Sequence, residues 1–325
     1  MGDKEGAPQV LAVGYSSLDW IYQVDRLPDV GQTARILSSR LRPAPGGCPA
    51  NIAVACVRLG LRAGVLTAVG DDAHGRGYVA ALKARGVETQ GVIFIRGGRS
   101  PSCFLFVDPS GHHLTFYDPG FSERRRFALQ IPVAWRRSLQ LGVITVGSPA
   151  MVQKAAFWFQ RHRIPILWSL KGDPRAWPPS LLDWLARHSQ VILMNRMEAL
   201  WLQNALRIQE WHDLLLGSAQ AVVITAGSEG SQVLDREGWK SVPAVLPRRL
   251  VDPTGAGDAF ASGFLWGWIH GLSAERCARV GAVVASFVLE AWGAQEGLPT
   301  LAQVRRRYRL FFNEPLDLHV RGGHE

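Results

Sequence analysis

The residues with the most chemistry in this sequence lie in one stretch, Val251-Asp252-Pro253-Thr254-Gly255-Ala256-Gly257-Asp258-Ala259-Phe260. Pro253 keeps the residue before it out of helix, and two glycines then let the backbone turn tightly before a helical run begins. The N–H groups of residues 255–258 would point out of that helix start, where the macrodipole favours negative charge. Asp258 sits in the same turn. A carboxylate beside an anion cradle repels what the cradle attracts, which is a poor arrangement for structure alone. It makes sense where the carboxylate touches a hydroxyl that attacks a phosphoryl group held by the amides. The plainer account is a glycine-rich loop with an acidic residue at a helix start.

Three further stretches carry polar groups at the ends of apolar runs. Pro45-Gly46-Gly47-Cys48-Pro49-Ala50-Asn51 is a second glycine turn into a helix start. Close backbone approach at Gly46 and Gly47 and the Asn51 amide suit a polyhydroxylated ligand, although an ordinary loop uses the same residues. Asp19, beyond the first strand, is a lone carboxylate among apolar neighbours. It can grip two adjacent sugar hydroxyls or simply cap a turn. Asn195-Arg196-Met197-Glu198 opens a helix where a strand ends, and its oxygen ligands can hold magnesium and its waters, or serve only as a helix start. Thr225-Ala226-Gly227-Ser228-Glu229-Gly230 follows another strand, at the end where open α/β sheets bind ligands.

The elements that must position these groups alternate along the chain. Strands are expected at 10–14, 64–69, 141–146, 165–169, 191–194 and 221–225. Helices are expected at 50–59, 75–85, 151–162, 181–188, 197–206, 258–270, 274–291 and 301–311. Such alternation predicts a mainly parallel sheet covered on both faces. Asp19–Leu41 and Val92–Tyr117 break the rhythm, being rich in β-branched and aromatic residues. Ser102–Val107 and His113–Tyr117 flank Pro109-Ser110-Gly111, a hairpin signal. The two segments are expected to form an antiparallel β lid on a single domain spanning 1–325. Phe104, Phe106, Phe116 and Tyr117 of the hairpin can face the pocket that the lid covers, and at least half of them are expected simply to pack the lid against the core.

Composition excludes several function classes. There is no Gly-Lys pair, hence no P-loop, and no HExxH. Gly75-Arg76-Gly77-Tyr78-Val79-Ala80 matches GxGxxA but is displaced from its strand by Asp71-Asp72-Ala73-His74, so a dinucleotide fingerprint is not expected. Cys48, Cys56, Cys103 and Cys277 lack CxxC spacing and read as reduced thiols. No apolar run approaches 18 residues, and MGDKEGAPQV has no charged-then-apolar leader, so a cytoplasmic protein without a membrane partner is expected. The net charge is +9, and 31 of the 36 basic residues are arginine. They are scattered, the densest group being Arg305-Arg306-Arg307-Tyr308-Arg309, so a solvated surface is expected rather than a nucleic-acid groove.

Taken in chain order, Asp19, Gly46-Gly47 with Asn51, Asn195 with Glu198, Thr225 to Gly230, and Asp252 to Asp258 resemble the ribokinase/PfkB family of carbohydrate and nucleoside kinases. The resemblance spans roughly residues 9–312, and DPTGAGDAF is its most specific part. It implies a three-layer α/β/α fold with an inserted lid, and transfer of the ATP γ-phosphate to a hydroxyl of a small sugar or nucleoside. It makes Asp258 the catalytic base and the amides of Gly255, Ala256 and Gly257 the anion hole. Asp19, Gly46, Gly47 and Asn51 would hold the acceptor. Asn195, Thr225, Gly227 and Gly230 would serve the nucleotide, and Glu198 the magnesium. Asp252, Thr254 and Gly293 match positions near the monovalent-cation site of many members, which implies K+. The lid would be the surface through which two copies pair. Cys48-Pro49 replaces the Lys-Gly usual in ribokinases proper, and the strand ending in Ser169 lacks the Asp of many sugar kinases. Gly14-Tyr15-Ser16-Ser17-Leu18-Asp19 and the stretch 285–295 look more like archaeal nucleoside kinases and adenosine-kinase-like members. A nucleoside acceptor is therefore expected ahead of fructose, another free sugar or a sugar acid.

Overall fold

A computed structural model describes residues 7–39, 43–120 and 131–317. The N-terminal leader reading, which rests partly on residues 1–6, and residues 40 and 41 of the expected lid lie outside the described residues. Every residue of Val10–Val13 (β1) is buried, as a central strand covered on both faces requires. The chain continues through Ser17–Val24 (β2), Ile36–Ser39 (β3), Ala44–Gly46 (β4), Cys48–Arg58 (α1), Ala63–Gly70 (β5), Ala73–Ala84 (α2) and Val92–Ile95 (β6). Next come Ser102–Val107 (β7), His113–Asp118 (β8), Leu141–Ile144 (β9), Pro149–Arg161 (α3), Ile166–Ser169 (β10), Pro179–His188 (α4), Val191–Asn195 (β11) and Arg196–Leu206 (α5). The last part comprises Ala221–Thr225 (β12), Ser231–Asp235 (β13), Gly238–Val242 (β14), Ala256–Ile269 (α6), Ala274–Val288 (α7) and Leu301–Phe312 (α8).

Nine strands form the central sheet in the order β14-β13-β12-β11-β10-β9-β1-β5-β6. From β12 to β6 every junction is parallel. The antiparallel β12-β13-β14 edge was not anticipated from the sequence. Alternate side chains of β1 feed two cores. Val10 and Ala12 pack with α1, α6, α7 and α8, while Leu11 and Val13 pack with α3, α4 and α5. This is a three-layer α/β/α arrangement. Helices α1, α3 and α4 each start two residues earlier than the apolar period predicts. Each has Pro at its first or second position, where the missing N–H costs nothing and the fixed φ already suits a helix.

The lid differs from expectation in three ways. Val92–Ile95 is not part of it, because this segment pairs parallel with β5 at the edge of the central sheet. The lid sheet, β3-β2-β7-β8 with β4 on β2, is mixed rather than antiparallel, since β2 and β7 run parallel. Both leave the same end of the central sheet, β2 after β1 and β7 after β6, so they emerge in one direction. Finally, the hairpin aromatics divide between two faces. Asp19, Cys103 and Tyr117 lie in one cross-strand row, whereas Trp20, Phe104 and Phe116 form the next and point the opposite way. Only Tyr117 shares the face of Asp19. Phe106 and Leu114 are on the face of Phe104 and Phe116, which is turned from the core, and Phe116 is 58% exposed.

Candidate active site

The cradle forms where an extended segment meets α6. Gly255 is the N-cap at φ 80°, and a Cβ there would collide with Ala294. Only glycine fits both the backbone conformation and the approach of that loop. The Ala256 N–H donates to the Pro253 carbonyl at 3.2 Å, so it closes the turn instead of facing outward with its neighbours. Among the described residues the Gly255 and Gly257 amides have no protein acceptor, and they are the open part of the cradle.

Asp258 lies in the first turn of α6 and is 5% exposed. Its Oδ1 is 3.0 Å from Lys171 Nζ, and its Oδ2 accepts from Asn51 Nδ2 at 2.9 Å. The Asn51 Oδ1 in turn accepts from Gln295 Nε2 at 2.9 Å, and the same nitrogen donates to the Pro45 carbonyl at 2.8 Å. Asn51, expected to grip the acceptor, uses both ends of its amide here, one toward Asp258 and the other, through Gln295, toward the glycine turn. Lys171 and Gln295 were missed. The one signal for Lys171 is its type, one of only five lysines among 36 basic residues, standing just past a strand.

Asp19 reaches the same region from β2. Ser17 Oγ donates to its carboxylate, and a Cβ on Gly46 would collide with that group. Burial pushes the Asp19 carboxyl up to about 6. The Ser17 hydroxyl opposes this, and the charges of Asp258 and Asp252 add to it. Gly47, at φ 89°, is the N-cap of α1, and Tyr78 Oη anchors the Gly46 carbonyl at 3.1 Å. Burial and the neighbouring Asp258 hold the Cys48 thiol well above its usual range, so it stays protonated.

On the far side of Lys171, Asn195 and Glu198 form a reciprocal capping box on α5. The Glu198 N–H donates to Asn195 Oδ1 at 2.8 Å, and the Asn195 N–H to Glu198 Oε2 at 2.8 Å. Burial raises the Glu198 carboxyl while Lys171 opposes the shift. Thr225 is the cross-strand neighbour of Asn195, followed by Gly227 at φ 58° and Gly230 at φ 91°. Arg196 ties this loop to α5 through a forked pair with Glu229 at 3.0 and 2.7 Å. Asp252 is fully buried and accepts from the N–H groups of Thr254, at 2.9 Å, and Gly293, at 2.7 Å. No cationic side chain among the described residues pairs with it.

A carboxylate held between a lysine and an amide, beside open helix-start amides at the carboxyl ends of parallel strands, defines a phosphoryl-transfer site. The chain belongs to the pfkB family of carbohydrate kinases, which matches residues 7–301, and it is an ATP-dependent phosphotransferase of that family. It is 28% identical over 299 residues to a nucleoside kinase of Methanocaldococcus jannaschii, covering 92% of this chain and 96% of that protein. It is 27% identical over 283 residues to a 5-dehydro-2-deoxygluconokinase of Geobacillus thermodenitrificans, covering 80% and 83%. Its fold matches that of a Burkholderia thailandensis nucleoside kinase solved with inosine, with a TM-score of 0.82 at 21% identity over 94% of this chain and 98% of that one.

Among the described residues no helix is long and apolar enough to cross a membrane, and the four cysteines are free thiols. Within the Arg305–Arg309 group, Arg307 is turned inward, pairing with Glu290 at 3.0 Å and stacking on Phe287.

Proposed function

We propose that this chain transfers the γ-phosphoryl group of ATP to a hydroxyl of a nucleoside, as one kinase domain. The carrying observation is the buried Asp258 carboxylate beside the open amides of Gly255 and Gly257. The acceptor hydroxyl would lie against Asp258, its oxygen attacking phosphorus while the bond to the leaving ADP oxygen breaks. The hydroxyl proton passes to the carboxylate. Asp19 would accept from two further acceptor hydroxyls, with Gly46 and Gly47 letting the ligand approach the backbone. Thr225, Gly227 and Gly230 would receive the nucleotide.

Glu198 has lone pairs left over from the capping box, and these suit the waters of a magnesium ion better than a full ligand set does. Magnesium would neutralise phosphate charge there. The buried Asp252, with Thr254 and Gly293 gathered around it and no cationic partner among the described residues, suits a monovalent cation such as K+. The nucleoside reading rests on Tyr15 and Tyr117, whose rings are 5.3 Å apart beside the row that carries Asp19. They give a planar base a flat aromatic surface to stack on. A sugar or sugar acid, as for the Geobacillus relative, is the second reading. The aromatic outer face of the lid, with Leu114 and Phe116 exposed, is where two copies would pair. The reduced thiols suit the cytoplasm.

One screen tests the assignment: ADP release measured across nucleosides, hexoses, pentoses and sugar acids. Turnover with adenosine, inosine, guanosine or cytidine is expected. If fructose or a sugar acid is phosphorylated while all four nucleosides stay inert, the acceptor assignment is overturned.

A further inference from the structure

Among the described residues Lys171 is the cation that pairs with Asp258. Its ammonium lies 3.0 Å from Asp258 Oδ1 and 3.2 Å from where a Cβ on Gly257 would stand, at the start of the helix that carries the open amides. Its charge also reaches Glu198, on the magnesium side. Its root is fixed, because the Lys171 carbonyl accepts from Trp177 Nε1 at 2.9 Å and from the Asp173 N–H at 2.8 Å. Beyond that root, four methylenes leave the head free to swing.

This position poses a problem that the resting geometry does not solve. A carboxylate paired to an ammonium is a poorer proton acceptor than a free one. A phosphoryl group over the Gly255 and Gly257 amides would also bring its negative oxygens to the place where the ammonium sits. Both difficulties disappear if the cation changes partners. We propose that Lys171 is a catalytic residue that hands its contact from Asp258 to the γ-phosphoryl group when ATP binds.

In the empty site Lys171 neutralises the buried Asp258. In the loaded site it neutralises the equatorial phosphoryl oxygens, and the freed carboxylate takes the hydroxyl proton. The acceptor O–P bond forms, the bond from phosphorus to the ADP oxygen breaks, and Lys171 stays protonated throughout. Burial alone would favour losing that proton, but the Asp258 and Glu198 carboxylates outweigh it. The inference rests on the kinase reading above and adds a residue and a step to it.

The test compares ADP with a non-hydrolysable ATP analogue by calorimetric titration, in wild type, Asp258→Asn, Lys171→Met, Lys171→Arg and the double variant Lys171→Met/Asp258→Asn. The double variant leaves no unpaired buried charge, so it keeps the comparison available if Lys171→Met alone does not fold. Losing one charge-assisted contact to the γ-phosphoryl group is expected to weaken ATP-analogue binding by about tenfold or more. ADP binding should change by less than about threefold, in the single variant and in the double variant relative to Asp258→Asn. Lys171→Arg is expected to restore most of the analogue affinity. An ion pair that serves only structure predicts an analogue-to-ADP ratio in the double variant equal to that of Asp258→Asn, and that result overturns the proposal. A wild type that phosphorylates an acceptor while this ratio stays fixed sinks the Lys171 role alone. A wild type that binds no ATP sinks the kinase reading and this inference with it.

Discussion

Asp258 carries a charge that an incoming triphosphate repels, and two neighbours offset it: the Lys171 ammonium at 3.0 Å and the Asn51 amide at 2.9 Å. Replacing Asp258 by Asn removes the proton acceptor and keeps the shape. ATP binding is expected to survive while turnover falls by about a hundredfold or more, the range of a positioned acid–base group. Titration and steady-state kinetics on one preparation check both halves. Asp19 presents the reverse balance, a functional charge that costs stability. Between pH 3.8 and about 6 the folded chain holds a proton on this carboxyl that the unfolded chain has released. Stability therefore falls as pH rises through that window, and at pH 7 the full cost is present, on the order of 2–3 kcal/mol. Asp19→Asn is expected to raise the unfolding free energy at pH 7 and to lose that advantage below about pH 4. It should also weaken acceptor binding by about tenfold or more, since charged hydrogen bonds contribute about 1.5–3 kcal/mol each. Denaturant unfolding at several pH values, alongside acceptor KM, separates the two effects.

At the scale of elements, the site is a set of loops at the carboxyl ends of β1, β10, β11 and β12, closed by the start of α6. The parallel sheet, both helical layers, the loops after β1, β11 and β12 and the start of α6 are legible in the sequence, because apolar period, glycine turns and strand-end polar residues are local signals. The part played by the β10 loop is not. Gly172-Asp173-Pro174 signals a turn after the strand, but nothing local gives Lys171 a role, which comes only from Asp258, 87 residues later in the chain. Gln295 is hidden in the same way, since its partners Pro45 and Asn51 come from the other end of the sequence. The lid misleads for another reason. A period of two reveals that side chains alternate, but not which face meets the core, so the hairpin phenylalanines read as lining. The α6 start gives the sharpest test of an element. Gly255→Ala forces a Cβ onto Ala294 at a φ of 80°. It is expected to cost about 1–3 kcal/mol of stability and to abolish measurable ADP release, while Gly77→Ala inside α2, where a Cβ meets open space, leaves ADP release unchanged and raises stability by about 0.5–1 kcal/mol. Thermal unfolding and the coupled kinase assay read the two outcomes.

For the whole molecule, the question is what the lid does when the site fills. Its inner face carries Ile21, Leu105 and Val107, a small cluster of its own joined by Trp292 from the loop beside Gly293. The lid is thus packed on the kinase body by a few apolar contacts, enough to orient it and few enough to let it move. Closure matters because water reaching the γ-phosphoryl group would hydrolyse ATP to no purpose. The two lid faces then have separate jobs, which makes their variants separable. Tyr117, in the row of Asp19 and against the Tyr15 ring, is the residue that the proposed function assigns to the acceptor. Tyr117→Ala is expected to raise the nucleoside KM by about tenfold, as losing one base–aromatic stack does, with little change for any free sugar that is turned over. Phe116→Ser, on the outer face, should leave that KM alone and shift the chain toward monomer in sedimentation. Hydrogen exchange joins the two predictions. A nucleoside is expected to protect the amides of β7 and β8, and Tyr117→Ala to abolish that protection. If protection persists unchanged in Tyr117→Ala, or appears with sugars and never with nucleosides, the stacking role assigned to this face is wrong.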